Sequence, residues 1–259
     1  MYSYLHFTQH FDLALTSLYL FWAFFAGLIY YLHRENKREG YPLVEDHPVG
    51  RGVSIVGFPK PPSPKTYLLH GGHGEVSLPS GRVERADLAL APTAGFSGAP
   101  YVPVGDPMTA GVGPGSWVER SNHPDLTVDG RPKIVPLRAA PDFHLAPEDP
   151  DPRGWPVVGG DRQVGGVVSD VWVDQSEYMI RYFEVELSGG RRALLPTPFA
   201  KVDGRRGRIT VTALYADNFL GVPQTASPDQ VTMLEEEKTA AFYGAGLLYA
   251  HPGRAEPLL

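Results

Sequence analysis

A single membrane-spanning helix followed by a mostly-β domain, a small antiparallel barrel with a C-terminal helix, is the architecture this sequence predicts. Three observations predict it. Residues 13–32 (LALTSLYLFWAFFAGLIYYL) carry no charge. The 29 glycines and 26 prolines among 259 residues are too many for a helical protein, and favour short strands with many turns. Between about Val164 and Ala213 β-branched runs alternate with turn residues at the spacing of a small sheet.

The uncharged run is bounded by Asp12 and by His33-Arg34. As a helix, about twenty residues span roughly 30 Å, the thickness of a bilayer's hydrocarbon core. Trp22, Phe24 and Phe25 lie within it, and Tyr30 and Tyr31 sit near its end, where aromatic rings favour the headgroup region. A cleaved signal peptide is a poor fit: no basic segment precedes the run, the run is too long, and no small-x-small site follows. Residues 1–12 hold no Lys or Arg, whereas Arg34, Lys37 and Arg38 follow directly. This asymmetry predicts an N-terminus outside and the bulk of the chain in the cytoplasm. Gly27 offers a point of close approach for a neighbouring helix.

A net charge of −6 without a long basic run argues against nucleic acid. The absence of cysteine excludes disulfides, thiolate zinc sites and thiol catalysis. From Glu35 to Pro64 six prolines oppose regular structure, and PKPPSP favours polyproline II. Yet Tyr41, Val53, Ile55, Val56 and Phe58 are more apolar than a free linker needs, so this lead-in is expected to lie extended across a surface.

At this point a resemblance emerges. Ala26–Leu32 (AGLIYYL), Arg34–Leu43 (RENKREGYPL), Lys60 and Lys65–Leu68 (KTYL) resemble the N-terminus of the H subunit of the purple-bacterial photosynthetic reaction centre. Gly105–Met108 (GDPM), Gly111–Pro114 (GVGP) and Ser116–Val118 continue the likeness. The glycine-rich 111–115 stretch is no phosphate loop, because it lacks the lysine and places Pro114 where a backbone donor would serve.

Short strands are expected at YLL, EVSL and RADLALA between Tyr67 and Ala91. His70 and His73 sit on a glycine loop without carboxylates at ligand spacing, and read as solvated histidines rather than a metal site. Gly95–Ala99 (GFSGA) mimics the nucleophile elbow of serine hydrolases, but Pro92, Pro100 and Pro103 deny Ser97 the strand–turn–helix it needs.

The regular region comes last. Strands are expected over Val164–Asp174, Tyr178–Leu187, Arg192–Pro196, Phe199–Val202 and Arg208–Ala213, with turns at Ser188–Gly190 and Asp203-Gly204. A helix is expected over Glu235–Tyr249, with Glu235, Glu236 and Glu237 as a negative cap at its start. The strand series resembles the PRC-barrel over about residues 155–225. The chain thus divides into 1–34 (N-terminus and span), 35–154 (extended lead-in with short strands), 155–225 (β domain) and 226–259 (helix and tail).

The resemblance implies a subunit that binds no pigment and is not itself an enzyme. It would cap the L and M subunits on the cytoplasmic face of the inner membrane and help carry protons to the secondary quinone. The implied complex holds bacteriochlorophyll, bacteriopheophytin, quinones, a non-haem iron and carotenoid. Membrane lipids are implied partners, and a cytochrome subunit and a light-harvesting antenna ring are left open. Two other readings remain: a membrane-anchored scaffold of another complex, and an anchored hydrolase using Ser97.

A proton path needs carboxylates spaced along a wet channel. Asp170, Asp174 and Glu177, with Arg181 beyond them, cluster at the turn between the first two strands of the regular region. Alternation puts Asp170 and Asp174 on one face, so their like charges are expected to oppose each other's ionisation. Taken alone, the spacing favours ordinary turn acids on a solvated hairpin. The resemblance aligns Glu177 with a family glutamate near the secondary quinone, and places Asp125 and Glu236 in the outer part of the same network. The family often carries a histidine pair before the Lys-Ile element, whereas this chain has Asp129–Pro132 before Lys133. Other groups, such as His123, Asp125 or Asp129, must then serve as the proton inlet.

Overall fold

The computed structural model describes residues 12–41, 43–45, 53–72, 74–80, 87–96 and 98–255. They fall into two compact units, residues 1–84 with 94–99, and residues 85–93 with 100–259. His73 and Ser97 lie outside the described residues.

In the first unit, helix α1 spans Leu13–Glu35, three residues beyond the uncharged run. Asp12 caps it, its Oδ1 accepting from the Ala14 amide at 2.9 Å. No residue of α1 is buried, so its apolar side chains face outward all round, as a span in lipid requires. Among the described residues, this is the one helix long and apolar enough to cross a membrane. It runs into a 3-10 turn, Asn36–Arg38, whose two basic side chains are buried.

Those two residues organise the lead-in. Lys37 Nζ donates to the carbonyls of Val56 (2.9 Å) and Pro59 (2.8 Å). Arg38 Nη1 donates to those of Ser63 and Leu78, both at 2.8 Å, while Nη2 holds Glu35. Lys65 reaches the same Glu35 at 3.0 Å. Prolines leave carbonyls without neighbouring amide donors, and buried cations supply the missing partners. Regular structure nevertheless fits between the prolines. Strands β1 (Leu43–Glu45) and β2 (Val53–Ile55) pair antiparallel, as do β3 (Lys65–Leu68) and β4 (Glu75–Leu78).

In the second unit, β5 (Leu90–Pro92) pairs with β6 (Tyr101–Pro103). The main sheet comprises β7 (Ile134–Pro136), β8 (Pro156–Gly159), β9 (Val164–Asp174), β10 (Met179–Glu186), β11 (Arg192–Pro196), β12 (Lys201–Asp203) and β13 (Arg208–Val211). Its order is β11-β10-β9-β8-β13-β12, with β7 also on β9. β9 and β11 match the predicted strands residue for residue. β10 starts one residue late because Tyr178 takes a left-handed φ of 55°, and β12 starts late because Thr197–Phe199 forms a 3-10 turn. Strand β8 was not expected from sequence. It begins with Pro156, a residue tolerated as the first of a strand, and it pairs parallel with β13 in a sheet otherwise antiparallel.

The middle of the sheet is buried on both faces. On one face Val157, Val168, Val171, Phe183, Val185, Leu195, Ile209 and Val211 meet Phe242 and Tyr243 of helix α2 (Met233–Tyr249). On the other, Ile134, Trp172, Tyr182, Leu194 and Val231 form a second apolar cluster. The small residues of α2 allow close packing. A Cβ on Gly244 would lie 2.6 Å from the Pro114 carbonyl oxygen, and one on Gly115 would lie 2.9 Å from Ala245 Cβ. The GVGPG stretch is therefore a seat for this helix.

Candidate functional site

The β9–β10 turn is built by Asp174. Its Oδ1 accepts from the amides of Ser176 (2.9 Å) and Glu177 (3.0 Å), a local side-chain bridge typical of aspartate at turns. The Gln175 amide donates to the Lys133 carbonyl (2.9 Å), and Ile134 is the register partner of Asp174. Together these place Lys133 over the turn. Its Nζ lies 3.3 Å from Glu177 Oε1, 3.5 Å from Asp174 Oδ2 and 3.7 Å from Asp125 Oδ2. Arg181 Nε stands 4.0 Å from the same Asp174 oxygen. The Asp174 side chain is 0% exposed, and its Oδ2 accepts no hydrogen bond from the described protein. Burial pulls the Lys133 pKa down, but its bond to Glu177 and the charges of Asp174, Glu177 and Asp125 outweigh this and hold it above the ordinary value.

Asp170 belongs elsewhere. Arg138, in the turn after β7, places Nη1 3.0 Å from both Asp170 Oδ2 and Glu184 Oε2. Its Nε holds Asp229 at 3.2 Å. Glu184 also accepts from Ser169 Oγ (2.8 Å) and from the Trp172 indole (3.1 Å). Trp172 intervenes along β9, and Asp170 and Asp174 each meet their own cations rather than one another. The structure thus brings Asp174, Glu177 and Asp125 together around Lys133, with Arg181 beside them, and leaves Asp170 out of that group.

Glu236 comes from the first turn of α2. The cap of this helix is Thr232, in a reciprocal capping box with Glu235. This starts the helix two residues earlier than predicted. The free amides of Met233 and Leu234 donate to the carbonyls of His123 (3.0 Å) and Ser121 (3.1 Å), fastening the segment that carries His123 and Asp125 to the helix. The His123 side chain is exposed. Of the three glutamates read as a cap, Glu235 does cap, Glu237 faces Arg120 at 3.5 Å, and Glu236 turns inward. There its Oε1 accepts from the Tyr182 hydroxyl at 2.8 Å. Burial raises the Glu236 pKa and Asp125's charge adds to this, against the Tyr182 hydrogen bond and the charges of Arg181 and Arg120. Burial also raises the pKa of Tyr182, which therefore stays a donor.

Sequence reasoning missed Lys133, Tyr182, Arg138 and Glu184 as members of these clusters. Tyr182 and Glu184 fall on one alternation face of β10, a signal that was available. Lys133 and Arg138 reach the acids only through the β7–β9 pairing, which the sequence does not reveal. Among the described residues, no group of three or more His, Asp or Glu is disposed to hold a metal ion.

Two family models match the chain. The photosynthetic reaction centre H-chain N-terminal region matches residues 5–139, and the PRC-barrel domain matches residues 148–217. The first match covers the apolar helix and the hooked lead-in, and the second covers most of the main sheet, including the β9–β10 hairpin that carries Asp174 and Glu177. The chain belongs to the family of photosynthetic reaction-centre H chains, and is a subunit of a membrane-associated photosynthetic complex.

Proposed function

We propose that this chain caps and stabilises the pigment-binding L and M subunits on the cytoplasmic face, and that its carboxylates conduct protons toward the secondary quinone. The observation that carries the reading is the graded series around Lys133. Glu177 is exposed, Asp125 is half-buried, and Asp174 is fully buried with one oxygen free of any hydrogen bond in the described protein. Glu236 and Tyr182 extend the series beyond Asp125.

A quinone reduced by two electrons takes up two protons, so a covered site needs groups that accept and release them in turn. Exposed Glu177 is the solvent end of the series, with half-buried Asp125 beside it. Asp174 Oδ2 is where a proton can reside without breaking the turn, because the turn amides use only Oδ1. The pigments, quinones and iron belong to the partner subunits in this reading, and catalysis is not a property of this chain alone. The basic residues after α1 support an N-terminus outside and a cytoplasmic body.

The test is flash spectroscopy on the purified complex. Glu177→Gln and Asp174→Asn are expected to slow the proton-coupled second electron transfer to quinone while leaving primary charge separation unchanged. An unaltered second-electron rate in both variants, from acidic to alkaline pH, overturns the assignment.

A further inference from the structure

The β8–β13 pair is the one parallel pairing of the main sheet, and a cleft of about 280 Å³ opens along it. Along β13, Ile209 and Val211 point into the core and are 0% exposed. The alternate residues Arg208, Thr210 and Thr212 line the cleft, and Arg162 and Gly160 line it from the turn after β8. Arg162 adopts a left-handed φ of 67°, a conformation that costs a non-glycine residue free energy and calls for an explanation.

Two arginines line this cleft, Arg162 exposed and Arg208 half-buried, and the one acid whose charge Arg208 feels is Asp203 across the strand pair. Among the described residues, neither has an ion-pair partner, and Arg208 Nε is shielded from solvent with no acceptor. The nearby acids are committed. Asp161 accepts from the amides of Gln163 and Ala216 (3.2 and 3.3 Å), and Asp203, the register partner of Arg208, is bound to Arg206 at 3.2 Å. Other arginines of this unit contrast with this. Arg254 donates to three carbonyls, of Thr212, Ala213 and Gly246, and Arg138 meets three carboxylates. In a chain of 29 acids and 23 bases, two arginines that line one cleft without an ion pair among the described residues are not explained by a shortage of carboxylates. The Nε of Arg208 is a shielded donor without an acceptor, and such a donor costs free energy unless a ligand supplies one.

We infer that this cleft is a binding site for a phosphate group, with Arg162 and Arg208 as counter-charges and the hydroxyls of Thr210 and Thr212 as further donors. A planar guanidinium presents paired N–H groups that match phosphate oxygens. The volume is close to the lower end of small-ligand pockets, roughly 300 Å³. It holds a phosphate together with a small esterified alcohol, so the group could be carried by a soluble phosphomonoester or by a lipid headgroup. This site is independent of the proton path, since it shares no residue with it.

Calorimetry on the detergent-purified complex, exchanged into phosphate-free buffer, provides the test. Inorganic phosphate and glycerol 3-phosphate are the soluble probes, and short-chain phosphatidylglycerol is the lipid probe. Saturable binding of at least one is expected, weakened about tenfold by Arg162→Gln, which removes one charge-assisted contact. Binding confined to the soluble probes assigns a soluble phosphate, and binding confined to the lipid assigns a headgroup. Arg162 sits on an exposed turn, so this variant keeps the fold; Arg208→Gln is the second variant, checked by circular dichroism. No saturable binding of any probe, or binding undiminished by Arg162→Gln, overturns the inference.

Discussion

Replacing Tyr182 by Phe removes one atom from the structure, the hydroxyl that donates to Glu236 Oε1 at 2.8 Å. The ring and its packing against Ile134, Trp172, Leu194 and Val231 remain. A hydrogen bond to a charged acceptor contributes about 1.5–3 kcal/mol, and partial exposure of Glu236 places this one at the low end, about 1.5 kcal/mol. Because the bond favours the ionised carboxylate, its loss moves the Glu236 pKa further up. The sign for stability follows from the same shift. Burial already holds the native-state pKa of Glu236 above its ordinary value of 4.5, so the native state binds this proton more tightly than the unfolded chain. That contribution is fully present below the ordinary value and is lost as pH rises through the native one. In Tyr182→Phe the loss extends to higher pH, and the gap in stability from the parent widens across that window. Infrared spectroscopy of the complex measures the titration directly through the carbonyl stretch of protonated Glu236, with Glu236→Gln assigning the band. A band that titrates at the same pH in parent and Phe variant refutes the reasoning.

Two other perturbations bear on separate parts of the structure. Lys133→Met leaves buried Asp174 with only Arg181 at 4.0 Å, so a loss of about 1–3 kcal/mol is expected; urea unfolding of the complex, followed by tryptophan fluorescence, checks it, and an unchanged midpoint counts against Lys133 as the centre of the cluster. Arg38→Ala strips donors from the carbonyls of Ser63 and Leu78, and limited proteolysis is expected to cut between residues 53 and 80 faster than in the parent, with the main sheet still resistant.

The sequence determined the parts of this protein that local physics controls. Twenty uncharged residues can only be accommodated as a helix in an apolar medium, and α1 follows them from its first residue. A β-branched run set β9 to the residue, because its valines have to enter a core, and the apolar run between the Ser188–Gly190 turn and Pro196 set β11. Local turn chemistry likewise made Asp174 and Glu177 visible, since an aspartate at a hairpin announces itself.

Only the tertiary structure decided which charge meets which. Asp170 and Asp174 are equivalent by alternation, yet one faces Arg138 and the other Lys133, because β7 runs along β9 and delivers one cation before its first residue and another after its last. The three glutamates that open α2 are alike as a cap, but the turn of the helix sends one to the capping box, one to Tyr182 and one to Arg120. Lys37 and Arg38 read as topology signals in sequence, and become ties for the proline-rich lead-in only where its carbonyls lie within 3 Å of their side chains. Apart from the capping box, each of these pairings joins segments far apart in the chain, and a Coulomb interaction depends on distance in space, which sequence spacing does not encode.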